Sequence, residues 1–278
     1  MKRESIPKNL SDRLEAADAR EAVAVLRGLA NLRADHAGIT TRTYGRAIAI
    51  ICGCLPTSLY NRVIGFDGQA LPYLDEIIAL YRAHDLHCRF DIVPDPDSDA
   101  LASALRQRGF QIRTRPIFSN IMMFRTPTKS IPDLPEGVAI RKVSPDEAEL
   151  LGSTHAAGLT YPTETCDILG LQLQGRLSDP DAHGFLAEME DQPVATGLLS
   201  VTDNIGYFGH ASTKPEFRGR GCQTALINAR MAFAASLGCS HVVTFAVPDT
   251  ASERNVQRGG FDIAHRLDVW MDIEVDGE

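Results

Sequence analysis

With 278 residues the chain is long enough for two domains of ordinary size, each able to bury a core. Its 44% hydrophobic and 23% charged residues are those of a globular protein in water, and its longest apolar run, Ala47 to Leu55, is too short to span a bilayer. The net charge of −8 is uneven: residues 1–127 carry 17 Lys/Arg and 14 Asp/Glu, residues 128–278 carry 11 and 22, and so acidic a half argues against nucleic acid as a partner.

The Met-Lys-Arg-Glu-Ser start offers no apolar signal region, so a cytoplasmic location with no membrane partner is expected. Cysteines at 52, 54, 88, 166, 222 and 239 are scattered, and only Cys52-Gly-Cys54 is a close pair. With no second pair and no His-x-x-x-His nearby, buried free thiols are expected and no metal.

Apolar residues at helical spacing (Leu14, Ala17, Ala22, Val25, Leu26, Leu29) predict one long helix or a helix pair over 11–34. Strand-like runs follow at 47–54 and 61–66, then an amphipathic helix over 71–86 and a strand over 88–93. Asp97 is a plausible cap for a short helix over 100–108 that Gly109 ends. Strands at 111–115 and 119–124 are expected to close this first unit. Thr126 to Gly137 holds three prolines and reads as the linker, which gives units at 1–127 and 138–278 joined by 128–137. The second unit opens with a strand over 138–143, a helix over 145–159, and a loop plus helix over 160–177. Three consecutive strands follow at 184–188, 193–202 and 206–213. From Gly221 a helix carries Cys222, Leu226, Ala229, Phe233 and Leu237 as one apolar stripe.

The chain also repeats itself. Ala83 to Asp95 parallels Ala235 to Asp249, and Gln107-Arg-Gly-Phe-Gln-Ile112 parallels Gln257-Arg-Gly-Gly-Phe-Asp-Ile263. Two copies of one α/β fold are therefore expected. The copies differ where the strand meets the helix: the first has Gly65-Phe-Asp-Gly-Gln-Ala-Leu-Pro72, the second Pro215-Glu-Phe-Arg-Gly-Arg-Gly-Cys222.

The second of these loops leaves backbone N–H groups free at a helix start, where the helix dipole also favours an anion, and its glycines allow close approach. Lys214, Arg218, Arg220, Arg230, Arg254 and Arg258 fall within 45 residues of this otherwise acidic half. A dinucleotide Gly-x-Gly-x-x-Gly fails at Thr224, and no Gly-Lys-Ser/Thr of a P-loop is present. Strand, Arg/Gly loop and amphipathic helix together resemble the acetyl-CoA-binding core of the GNAT N-acetyltransferase superfamily, whose pyrophosphate loop reads Arg/Gln-x-x-Gly-x-Gly/Ala. That pattern falls on Arg218, Gly221 and Gln223, and Gln223 departs from the final small residue.

The resemblance implies an α/β protein of two tandem GNAT-like domains, each a mixed, mostly antiparallel central sheet flanked by helices, with the first copy degenerate. It implies acetyl-CoA as co-substrate, with pyrophosphate on the amides of Gly219, Arg220, Gly221, Cys222, Gln223 and Thr224, aided by Arg218. The pantetheine arm would pair with the backbone of Ala211, Ser212 and Thr213 on a splayed strand. Ser252 and Asn255 match the later helix that contacts CoA in the family, and a Thr213 N–H would serve the oxyanion. The Tyr that many members use as acid is replaced by Val256. His210 and Tyr207 are candidates for the base or a water relay by position alone, and Tyr161 for the border of the acceptor site. The implied reaction is acetyl transfer to a primary amine, on a small molecule or an exposed chain. An acyl-CoA sensor without turnover, and a transferase of longer acyl chains, are the alternatives.

Overall fold

The computed structural model describes residues 6–33, 38–55, 58–95, 98–113, 120–130 and 132–272; the expected cap at Asp97 and the expected strand residues 114, 115 and 119 lie outside them. Helix α1 (Lys8–Leu32) is followed by β1 (Ile39–Tyr44), β2 (Ala47–Cys52), β3 (Arg62–Ile64), α2 (Leu74–Arg82), β4 (Arg89–Ile92), α3 (Ser98–Arg106), β5 (Gln111–Ile112) and β6 (Ile121–Arg125). Then come β7 (Ala139–Lys142), α4 (Ala148–Ala157), α5 (Thr163–Arg176), β8 (Ala182–Met189), β9 (Gln192–Thr202), β10 (Ile205–Thr213), α6 (Cys222–Ser236), β11 (His241–Ala246), α7 (Ala251–Arg258), β12 (Asp262–Arg266) and β13 (Asp268–Met271).

Two sheets result, ordered β1-β2-β3-β4-β13-β5 and β12-β6-β11-β10-β9-β8-β7. Among the described residues only β3 with β4 and β10 with β11 pair in parallel, each pair connected through a helix, α2 or α6. The two sheets thus repeat one plan, as the internal repeat leads one to expect. Strand β1, whose residues are mostly exposed, was not legible as a strand from its pattern Ile-Thr-Thr-Arg-Thr-Tyr; it is held by the hairpin with β2.

The sheets do not divide where the chain does. Strand β6, expected to close the first unit, lies between β11 and β12 of the second sheet, with Met123 opposite both Thr244 and Ile263. In return, β13 from the end of the chain lies between β4 and β5 of the first, with Trp270 opposite Phe90 and Ile112. The expected linker at 128–137 therefore separates the sequence but not the sheets. The cause is apolar burial on both faces: Ile121 and Met123 pack into one cluster with α6, while Met122 packs into another with Leu14 and Ala17 of α1. A strand of this kind has no solvent face and needs a central place, worth about 2 kcal/mol per buried side chain.

One face of the second sheet is covered by α6 and by Val256 of α7, the other by α4, α5 and α1. Helix α1 also packs on the first sheet through Val25, Leu26 and Leu29 against Ile50 and Cys52. It is thus shared by both sheets and brings residues of the first half to the second. Its contact with α5 is close because Gly28 meets Gly175, where an added Cβ would fall 2.1 Å from a backbone oxygen.

Candidate functional site

The parallel ladder between β10 and β11 runs from Ile205 opposite His241 to Phe208 opposite Thr244 and stops there. Beyond it β10 follows β9 to Thr213 while β11 follows β6, so the two strands part. Thr244 ends the ladder by donating its hydroxyl to the Phe208 carbonyl at 2.8 Å. At the parting point β10 carries one extra residue, since Gly209 faces Leu198 but Ser212 faces Thr196, and His210 takes φ 47°. The Lys214 amide donates to the Val194 carbonyl on the β9 side at 2.9 Å. By strand alternation the backbone groups of Ala211 and Thr213 then point to the open edge.

After β10, Pro215–Phe217 form a single 3-10 turn, Gly219 and Gly221 take φ 79° and 84°, and α6 begins at Cys222. The first helical bond runs from Ala225 to Gly221, and the amides of residues 219–224 have no hydrogen-bond acceptor among the described residues. These consecutive donors at a helix N-terminus form an anion cradle. Gly219 opens on solvent, whereas a Cβ at Gly221 would lie 2.7 Å from Cγ of Pro135, so the linker packs under the loop.

The side chains around the cradle have distinct tasks. Arg218 donates to the carbonyls of Thr213 at 3.2 Å and of Gly158 at 3.0 Å, which latches the loop to β10 and to the end of α4. Arg220 is exposed and stacks on Phe217 at 5.3 Å, so it is the freer cation of the two. The Cys222 thiol turns into the core toward Met189, which leaves only its amide facing the loop. Gln223, where the sequence departs from the family pattern, sends its side chain away from the cradle: Nε2 donates to the Ser212 carbonyl at 2.7 Å and to Thr213 Oγ1 at 3.0 Å. Thr224 is exposed on the first turn.

On the later helix the cap is Thr250, whose hydroxyl accepts from the Glu253 amide, and not Ser252, which is exposed. Asn255 is bonded to Arg258. Val256 is 8% exposed and belongs to the core, so an acid at its position would need a different helix orientation. Tyr161 is exposed on the loop before α5.

The chemistry-bearing candidates on β10 meet residues that the sequence reading passed over. Tyr207 turns toward α1, where its hydroxyl faces Asp18 at 3.5 Å, and burial holds its phenol well above the ordinary range. Its phenolate is thus unavailable near neutrality. Burial, with a smaller push from Arg176, lowers the His210 imidazole to about 4. Its ring stands 5.5 Å from that of His155 on α4, which burial, with His210 beside it, lowers to about 3. His155 Nδ1 lies 3.0 Å from Thr196 Oγ1 and 3.1 Å from Ser212 Oγ. On its other side His210 Nε2 is 3.9 Å from Glu21 of α1. The signal for Asp18 and Glu21 was present: both are acidic residues set on the apolar stripe of α1, and they are 3% and 5% exposed.

The equivalent loop of the first half is closed from within. Asp67 is 8% exposed and its Oδ1 accepts from the amides of Gln69 at 3.0 Å and Ala70 at 3.2 Å. Glu15 of α1 accepts from the Gly65 amide at 3.1 Å. The protein's own carboxylates thus take the donors that a phosphate would need, and add negative charge where it would sit. Strand β3 is three residues long and pairs with β4 along all of them, so no splayed arm exists there.

Residues 151–261 match the sequence profile of the acetyltransferase (GNAT) family. The fold is similar to that of a GCN5-related N-acetyltransferase from Kribbella flavida, at TM-score 0.63 and 21% identity over 92% of this chain and 95% of that one. It is also similar to a tandem GNAT protein from the clavulanic acid biosynthesis pathway (TM-score 0.61, 16% identity, 94% and 98% covered). A GCN5-related N-acetyltransferase from Sphaerobacter thermophilus gives TM-score 0.57 and 20% identity over 81% and 79%. No curated protein matches the sequence. Among the described residues no helix is long and apolar enough to cross a membrane, and no group of three or more His, Cys, Asp or Glu is placed to hold a metal.

Proposed function

We propose that the chain transfers acetyl from acetyl-CoA directly to a primary amine, using one site, in its second half, where residues 151–261 match the acetyltransferase (GNAT) family. The observation that carries this reading is the run of unpartnered amides at 219–224 beside the parted end of β10, with no counterpart in the first half. Acetyl-CoA supplies an activated thioester as co-substrate. The cradle holds its pyrophosphate, with Arg220 adding charge, and Arg218 and Gln223 keep loop and strand in register. The open edge at Ala211 and Thr213 offers main-chain donors and acceptors to the pantetheine amides. The Thr213 amide is the donor nearest the loop for the oxyanion that forms at the thioester carbon. With an ordinary thiol pKa of about 8.5, the sulfur leaves without a dedicated acid, which accords with a core Val256 in the family's acid position. His210 stays neutral and acts as a relay for a proton, its basicity being too low to store one.

Calorimetric titration with acetyl-CoA and desulfo-CoA, followed by thiol release across a panel of amines, tests this. One site per chain and release with a primary amine are expected. Binding without release on any amine would instead support the sensor reading, which the buried Val256 favours, and no binding would sink both.

A further inference from the structure

Between the two halves lies a cavity of about 660 Å³, walled by α1, by β1 of the first sheet, by the end of α5 and by β9 and β10 of the second. It opens on the sheet face covered by α1, which is also the face toward which His210 turns. At its inner wall Glu21 is 5% exposed. Its Oε2 accepts from Ser200 Oγ at 2.6 Å and from Arg176 at 3.2 Å. Its Oε1 has no hydrogen-bond partner among the described residues and lies 3.9 Å from His210 Nε2. A buried carboxylate oxygen without a donor is costly, which marks a place made for a donor. Asp179 and Asp181 stand on the same wall at 2.9 and 2.8 Å from Arg176. One guanidinium therefore serves three carboxylates; Arg20, turned to Asp203, and the exposed Arg27 also line the cavity, so it is the unpartnered oxygen of Glu21, not a net charge, that singles out this wall. The opposite wall offers the hydroxyls of Thr41 and Thr43, both on exposed positions of β1.

We propose that this cavity receives the acceptor, a small primary amine with a polar body, and that Glu21 is the carboxylate that takes its ammonium group. The proposal rests on the transferase reading above and adds the acceptor's place and class. The ammonium donates to Glu21 Oε1 and gives it one proton. The nitrogen lone pair then attacks the thioester carbon, the C–N bond forms and the C–S bond breaks. The second nitrogen proton passes to the departing sulfur, giving amide and thiol, and Glu21 returns its proton to water. Burial, working against Arg176, already raises the Glu21 carboxyl above its usual range, which suits a group that takes up a proton in each cycle. The first half thereby completes a site whose co-substrate part it lacks.

The test follows thiol release from acetyl-CoA with ethanolamine, glucosamine and phenylethylamine, alongside calorimetry with desulfo-CoA. The polar amines are expected to react in preference to phenylethylamine. Glu21→Gln keeps the shape but loses the charge, and is expected to raise the KM of the amine about tenfold or more while desulfo-CoA affinity stays within about twofold. Thr43→Trp fills the cavity from an exposed position, leaves the buried network intact, and is expected to do the same; it decides the matter even if the Glu21 variant folds poorly. An unchanged amine KM in Thr43→Trp, or preference for phenylethylamine, overturns the proposal while leaving the transferase reading standing. Absence of thiol release by the wild type with all of these amines overturns both.

Discussion

The side-chain amide of Gln223 donates to the Ser212 carbonyl at 2.7 Å, joining the first turn of α6 to the strand that precedes the loop. A further bond reaches Thr213 Oγ1 at 3.0 Å. The residue that departs from the family pattern is thus a brace between the loop of free amides and the open strand edge. Gln223→Ala removes these bonds, at about 1 kcal/mol each, and should weaken desulfo-CoA binding several-fold by calorimetry. Unchanged affinity would show that the brace has no part in holding the site.

Loop and first-half counterpart should respond in opposite ways. Arg218→Glu with Gly221→Glu places two carboxylates at the cradle, breaks the latch to Gly158 and forces a side chain toward Pro135. An affinity loss of at least about tenfold for desulfo-CoA is expected. Asp67→Asn, which relieves charge in the closed first-half loop, should leave the calorimetric stoichiometry at one per chain. A second binding event in that variant would contradict the one-site account.

The exchange of β6 and β13 should make the halves unfold together. Trp270 is the sole tryptophan of the sequence, is 2% exposed, and sits on β13 inside the first sheet. Its fluorescence therefore reports on the half that lacks the cradle. Acetyl-CoA at a hundredfold excess over its Kd stabilises the state it binds by about 2.7 kcal/mol. The tryptophan transition should rise in temperature with that seen by circular dichroism. A transition that ignores the ligand would show independent halves.

The stability that two buried histidines confer should fall on mild acidification, while the Glu15 carboxyl, which burial raises to about 7, takes up a proton over the same range and works the other way. Burial lowers the folded-state pKa of His210 to about 4 and that of His155 to about 3, from an ordinary 6.5. Their folded forms are neutral, so the stability they confer is complete above 6.5 and is lost as pH falls from there toward 4. For His210 the loss reaches about 3 kcal/mol near pH 4 and about 2 kcal/mol at pH 5. Urea melts at pH 7 and pH 5 isolate it by comparison: His210→Gln should lose less stability, or gain more, than the wild type between the two pH values, and an equal change in both proteins would remove His210 as a source.

The sequence made the cradle legible because it depends on local features: glycines, a strand before and an apolar stripe after. The elements around it, from α1 to α6, followed from periodicity in the same way, and the repeat of 83–95 in 235–249 carried the tandem plan. What stayed hidden is what depends on partners far away in the chain. The short strand β6 read as the closure of the first unit and β13 was not foreseen at all, and nothing local says which sheet receives them. Glu21, Asp18 and His155 looked like parts of helices, and their bearing on β10 arises only when α1 crosses to the second sheet. Asp67 likewise looked like a turn residue until its carboxylate was seen to cap the amides of its own loop.

The most direct measurement is amide NMR of the full chain on addition of acetyl-CoA. The amide resonances of Gly219, Arg220, Gly221, Cys222, Gln223 and Thr224 should shift downfield as their free N–H groups receive phosphate oxygens, while those of Gly65 and Ala70, already bonded to Glu15 and Asp67, stay in place. Shifts centred on Gly65 to Ala70, or a cradle that remains unperturbed at saturating acetyl-CoA, would contradict a single co-substrate site in the second half.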